Sequence, residues 1–142
     1  YYPLKLEGWY KYKAGTNFSS KGEIVEGKKD KCDIYGVLYE TDDNVQFLDG
    51  STSLTSPNIV ALARNLDALP ETDNWKQFSF KFEPKNGKSI DSDKLEKGIY
   101  KLAIVFSSSV DGGKFEGAVG STLYIDKVVI EHTSNPNEYP AN

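Results

Sequence analysis

The 142 residues include no methionine and only one cysteine, one histidine and one arginine. Each shortage excludes something. Cys32 alone can form no internal disulfide and no multi-cysteine metal cluster. His132 alone rules out a two-histidine metal site. Any Ser-His-Asp or Cys-His arrangement would have to use it, at the end of the last expected strand and beside a tail. Neither Cys32 nor His132 has a partner of the kind catalysis requires. Sixteen lysines to one arginine, with a net charge of −4, argue against nucleic-acid partners. Such partners need clustered cations, and arginine is the usual reader of base edges. No run of 18 apolar residues occurs, so no membrane-spanning segment is expected. The glycine-rich stretch 111–120 lacks the GxxxxGK[ST] order and a helix after it, which predicts a long loop rather than a phosphate cradle. With no methionine and a Tyr-Tyr-Pro start, the chain reads as a processed or excised piece of a longer protein.

What is abundant is aromatic: seven Phe, nine Tyr and two Trp, alongside twelve Gly, which leans the chain toward strands and turns. Residues 4–13, 32–41, 75–83, 99–107 and 122–132 read as strands, separated by turn chemistry such as Asn86-Gly87 and Asp111-Gly112-Gly113. The clearest two-residue period sets Phe78, Phe80 and Phe82 against Gln77, Ser79 and Lys81. The stretches 99–107 and 122–132 are nearly continuous apolar runs, which predicts strands central to a sandwich. The expectation is an all-β, two-sheet antiparallel β-sandwich of jelly-roll type. It fills residues 1–132 as one domain, with Phe78, Phe80, Phe82, Leu102, Ile104 and Phe106 in its core. Residues 133–142 are expected to be a loosely held C-terminal tail. Residues 57–70 suit a helix, with Pro57 at its first position and leucines at helical spacing, yet 59–64 is equally compatible with a strand. Residues 91–96 read as one helical turn stopped by Gly98.

Function is sought in aromatics on polar faces. Alternation puts Trp9 among Lys5, Glu7, Lys11 and Lys13, and Trp75 with Gln77 and Ser79. It puts Tyr35 and Tyr39 with Asp33 and Thr41. Such a face suits a sugar, whose C–H patch stacks on a ring while Asp, Gln and Lys meet its hydroxyls. The competing expectation is that loops or the second sheet cover these rings, or that a bulge at Gly8 turns Trp9 inward. Asp126 shares its face, by regular alternation, with Tyr124, Val128 and Ile130. If buried there, it must be paired, hydrogen-bonded or metal-bound. A glycoside-active enzyme would need two facing carboxylates, with Asp33, Glu40, Glu116 and Asp126 as candidates, but alternation sends Asp33 and Glu40 to opposite faces. No catalytic residue emerges from the pattern.

The stretches GWYKYKAG (8–15), CDIYGVLYE (32–40), LTSPNIVALAR (54–64), YKLAIVFSSSVDG (100–112) and FEGAVGSTLYIDKVVI (115–130) resemble a family. It is the putative carbohydrate-metabolism domain of surface and periplasmic proteins in polysaccharide-degrading gut bacteria. The resemblance implies a fold similar to jelly-roll carbohydrate-binding modules, a smaller N-terminal β-domain in the parent protein and an extracytoplasmic location. It implies a strand at 59–64. It also implies a final-strand aspartate, here Asp126, that helps hold a structural calcium. The function it implies is a non-catalytic carbohydrate-binding or accessory domain for a polysaccharide or oligosaccharide. Tyr35, Tyr39, Trp9, Trp75 and Asp33 are the binding candidates. A glycoside-active enzyme and a structural or adhesion module are the alternatives.

Overall fold

Strict alternation in β1 (Tyr2–Lys13) sends Leu4, Leu6, Gly8, Tyr10 and Tyr12 to the buried side. It leaves Lys5, Glu7, Trp9, Lys11 and Lys13 on the other. In the computed structural model, which describes residues 1–141, β1 is the middle strand of a three-stranded antiparallel sheet. Its neighbours are β10 (Thr122–Thr133) and β6 (Thr72–Lys81). The second large sheet has the order β7 (Glu83–Pro84), β5 (Ile59–Arg64), β4 (Asp33–Glu40), β8 (Tyr100–Ser107). The two sheets face each other across Leu6, Tyr10, Phe78, Phe80 and Phe82 on one side and Ile34, Leu38, Ala61 and Ala63 on the other. This is the all-β antiparallel sandwich expected from the alternation. Two glycines admit the rings at its centre. A Cβ on Gly8 would lie 2.7 Å from the Phe78 ring, and one on Gly36 2.7 Å from the Phe82 ring. Removing one of these phenylalanines would cost about 3–5 kcal/mol, as for other buried aromatics.

Several expectations need correction. The apolar runs at 99–107 and 122–132 form edge strands, β8 and β10, not central ones. An edge strand is covered on one flank only. Leu102 and Phe106, expected in the core, are therefore each 41% exposed, while Ile104 is half-buried against the core. A third, smaller sheet was not foreseen. It joins β3 (Glu23–Ile24), β2 (Phe18–Ser20) and β9 (Glu116–Ala118), so part of the glycine-rich loop is strand. Residues 59–64 are strand, as the resemblance implied, and only Leu66–Ala68 coil into a short helical turn. The turn at 91–96 is α1 (Ser92–Glu96), capped by the Asp91 carboxylate, which accepts from the Asp93 and Lys94 N–H groups. The tail is anchored rather than loose, because Tyr139 packs on the core and its ring lies 6.1 Å from that of Tyr2. The last residue of that tail, Asn142, lies outside the described residues.

Candidate functional site

The two sheets treat their outer faces differently. On the four-stranded sheet, Tyr35, Val37 and Tyr39 point away from the core, but residues 41–58 fold over them and bring Leu48 and Leu54 onto the rings. Tyr35 and Tyr39 end 6% and 5% exposed, and the Tyr35 hydroxyl bonds the Ser53 hydroxyl at 2.7 Å. The same face holds Asp33, buried and gripped by Arg64 through two hydrogen bonds of 3.1 and 2.7 Å. Rings covered by the chain's own loop cannot stack on a ligand. The expectation that Tyr35, Tyr39 and Asp33 form an accessible platform is therefore corrected by this roof.

Trp9 and Trp75 fare otherwise. Both are exposed, at 37% and 45%, on the outer face of the three-stranded sheet. Pairing fixes their neighbours. Trp9 lies opposite Asp126 on β10 and Gln77 on β6, and Lys11 lies opposite Tyr124. The Lys11 ammonium stands 4.8 Å from the Trp75 ring centroid and 5.1 Å from that of Tyr124. The face therefore carries two rows of three: Tyr124, Lys11, Trp75, and beside them Asp126, Trp9, Gln77. By strand spacing this patch measures about 10 by 7 Å. Rings and polar groups alternate across it in both directions.

Tyr124 was missed as a site residue, and the reason is a bulge. From Glu7 opposite Val129 to Trp9 opposite Asp126, β1 advances two residues and β10 three. The extra residue on β10 falls beside Lys127, whose φ is 52°. Regular alternation would group Tyr124 and Asp126 with Ile130. The bulge instead turns Tyr124 and Asp126 outward, while Ile130 packs inward with Ile125 and Leu123. The polar pair Asp126-Lys127 inside an apolar run was the available signal. The bulge considered at Gly8 does occur at this level of the sheet, but on the partner strand, so Trp9 keeps its outward phase.

Asp126, singled out for a possible calcium, is exposed, and its carboxylate accepts from the Lys127 N–H at 2.8 Å. Among the described residues no group of three or more His, Cys, Asp or Glu side chains is gathered to hold a metal. The other carboxylate candidates do not converge. Glu40 pairs with Lys94 and Glu116 with Lys28, while Asp33 and Glu40 stand at the two ends of β4, about 23 Å apart by strand rise.

One buried carboxylate was overlooked altogether. Asp30 accepts from the Ser109 and Ser121 hydroxyls at 2.6 and 2.7 Å, from the Ala118 N–H at 3.0 Å and from the Lys31 N–H at 2.9 Å. It ties three loops together at one end of the sandwich. Beside it a cavity of about 270 Å³ is lined by Tyr12, Lys29, Asp67, Leu69 and Glu71. Glu71 is held below the usual carboxylate range, first by the Lys29 ammonium and then by the Ala14 N–H. A general acid for glycoside cleavage needs the opposite shift. The lone thiol, Cys32, is buried, and burial pushes it up to about 12, so it is no nucleophile. His132 is exposed at the far end of β10, its ring 4.5 Å from that of Tyr1.

The model of one family, the putative carbohydrate metabolism domain, matches residues 1–131. The chain belongs to that family. Two solved structures are similar. One is a putative glycoside hydrolase from Bacteroides thetaiotaomicron, 49% identical with a TM-score of 0.90, for which the match covers 94% of this chain and 39% of that one. The other is a putative glycoside hydrolase from Bacteroides vulgatus, 43% identical with a TM-score of 0.82, covering 92% of this chain and 53% of that one. The chain thus spans about two-fifths to one-half of these relatives. No curated protein matches it. No helix among the described residues is long and apolar enough to cross a membrane.

Proposed function

We propose that this member of the carbohydrate-metabolism family is a non-catalytic module that binds polysaccharide or oligosaccharide on the outer face of the β10–β1–β6 sheet. The observation that carries the reading is the two-by-three patch, in which Trp9, Trp75 and Tyr124 alternate with Lys11, Asp126 and Gln77. Rings take the C–H faces of a sugar while an ammonium, a carboxylate and an amide meet its hydroxyls. A role on polymeric glycan goes with a location outside the cytoplasm, where such polymers are met, and with accessory service inside a longer protein.

A glycoside-active domain is the second reading, favoured by what the two similar structures are called. Against it stands the engagement of Asp33, Glu40, Glu71 and Glu116 in ion pairs and of Asp30 in four hydrogen bonds. The matched region is also only part of each relative.

The test is affinity electrophoresis and calorimetry of the wild type, Trp75→Ala, Tyr124→Ala and Trp9→Ala against a panel of plant, algal and host polysaccharides. Each ring should contribute about 1–2 kcal/mol to binding, as other stacking contacts do. Stability should change by no more than about 0.5 kcal/mol for the most exposed rings, as at other surface sites. Variants that bind as the wild type does would place the site elsewhere. Release of reducing sugar by the wild type that substitution of one of its carboxylates abolishes would establish the enzyme.

A further inference from the structure

We infer that the sugar taken by this face carries an anionic group, a carboxylate or a sulfate ester, seated on Lys11. The inference rests on the glycan-binding reading and adds the chemical class. Ion pairs among the described residues engage Lys5, Lys28, Lys29, Arg64, Lys94 and Lys114. Lys11 and Lys13 make none, and neither ammonium donates a hydrogen bond to any described residue. The Lys11 ammonium is bracketed by the Trp75 and Tyr124 rings at 4.8 and 5.1 Å.

That combination matters. A lysine on an open face normally sweeps freely through water, and ordering it for a ligand costs side-chain entropy. Here two rings flank it, and its ammonium makes no hydrogen bond to a described residue. An ammonium between two stacking platforms meets an anion at the edge of a sugar whose ring lies on one of them.

Charge along β1 is uneven in the same sense. At one end Lys5 is matched by Glu131 at 3.9 Å. At the other, Lys11 and Lys13 look across β10 to the neutral Tyr124 and Thr122. Of the acidic residues nearby, Asp126 stands diagonally from Lys11 in the patch but makes no ion pair with it, its one hydrogen bond coming from the Lys127 N–H. Glu71 is occupied by Lys29 and the Ala14 N–H, with the Lys13 charge a further, smaller influence on it, and Asp73 on β6 pairs with neither lysine. With a net charge of −4, the molecule as a whole is no general polyanion binder.

The experiment compares matched polymers: polygalacturonate and alginate against their carboxyl-reduced forms, and chondroitin sulfate against its desulfated form. Binding is measured by affinity electrophoresis at 20–500 mM salt, a range chosen so that screening, with a Debye length of about 10 Å at 0.1 M, becomes strong. At least one anionic polymer should bind about tenfold or more tightly than its neutral counterpart, which is about 1.4 kcal/mol. That preference should fade with salt, disappear in Lys11→Gln and return in Lys11→Arg. Lys97→Gln, beyond α1, should leave it intact, and none of these variants should move the melting temperature. Equal binding of both members of every pair overturns the anionic class but leaves the glycan-binding face standing. So does a Lys11→Gln effect that is the same on both members. A preference lost as readily in Lys97→Gln as in Lys11→Gln is diffuse attraction and overturns the assigned seat. No retardation by any polymer, neutral or anionic, overturns the binding face itself.

Discussion

Trp9 on β1 and Tyr39 on β4 occupy comparable positions. Each lies on an inner strand of its sheet and points away from the shared core. One is 37% exposed and the other 5%. The difference is made by residues 41–58, which join β4 to β5 and fold back over the four-stranded sheet, while Trp9, Trp75 and Tyr124 on the three-stranded one stay exposed. Alternation specifies which side of a sheet a ring takes; it does not specify what lies over that side. The covering loop is built from local turns. The Asp42 carboxylate accepts from the Asn44 and Val45 N–H groups and from the Asn58 amide, and Asp49 accepts from Ser51 and Thr52. It adheres through Leu48, Leu54 and the Ser53 hydroxyl.

The strongest way to break this comparison is to remove a roofed ring. Tyr39→Ala should destabilise the fold by about 3–5 kcal/mol in urea titration, the range for buried aromatics. It should leave glycan affinity unchanged at temperatures where the variant is folded. A stable Tyr39→Ala that binds glycan poorly would make the roofed face the site. Next in size is Ser53→Ala, which strips the buried Tyr35 hydroxyl of its partner. Leaving one such group unsatisfied costs about 1–3 kcal/mol. The double variant Tyr35→Phe with Ser53→Ala removes both halves of the bond and should regain most of that loss. If it falls as far as the sum of the singles, the hydroxyl pair is not what holds the loop.

Acid gives a gentler handle on the same roof. Asp42 is held below its ordinary 3.8 chiefly by the Asn58 amide and then by the Asn44 and Val45 N–H groups. Asp49 is held below it chiefly by the Ser51 hydroxyl and its N–H. A carboxyl depressed in the folded state stabilises it fully above the ordinary value, and that stabilisation is lost as pH falls through the folded value. The loop should therefore stay closed from neutrality down to about pH 5 and loosen below about 4. Amide exchange at 42–56, corrected for intrinsic rates, would report it. Protection that is unchanged at pH 3 would show that Leu48 and Leu54 hold the roof alone.

How much of this could be read from the chain follows from the range of each interaction. The alternation in 4–13 and 75–83 is local, and it placed Trp9, Trp75 and the three phenylalanines correctly. Whether a strand is an edge or a centre depends on pairing between segments tens of residues apart, so the apolar run alone predicts Leu102 and Phe106 in the core. The bulge at Lys127 depends on how β10 meets β1, and it alone decides that Tyr124 faces outward. Asp30 gave no signal, because its four donors come from residues 31, 109, 118 and 121 and only the fold gathers three of them around it. Ser53 gave none for the same reason.

Asp126 sharpens the comparison at its smallest scale, because it contrasts with the buried Asp30 and Asp33 in everything but chemistry. Asp30 and Asp33 are each 3% exposed and surrounded by donors, so removing either would strand polar partners in the interior. Asp126 stands on the open face with one hydrogen bond, to the N–H of the residue after it. Asp126→Asn keeps the shape and can keep that bond through its amide oxygen. Its melting temperature should match the wild type closely, since exposed substitutions usually fall within about 0.5 kcal/mol. The resemblance to calcium-holding binding modules makes a separate, opposite demand. A calcium bound only by the folded protein would raise stability by mass action, and a chelator would lower the melting temperature. One carboxylate beside Trp9 and Gln77 falls well short of the six to eight oxygens that calcium takes. The expected result is therefore one melting curve for wild type and Asp126→Asn, with or without EDTA. A drop of several degrees on chelation that Asp126→Asn abolishes would make Asp126 a metal ligand. Asp126→Asn should instead register in binding, because in the second row of the patch its carboxylate is the acceptor beside Trp9, and an amide oxygen accepts a sugar hydroxyl more weakly than a charged one.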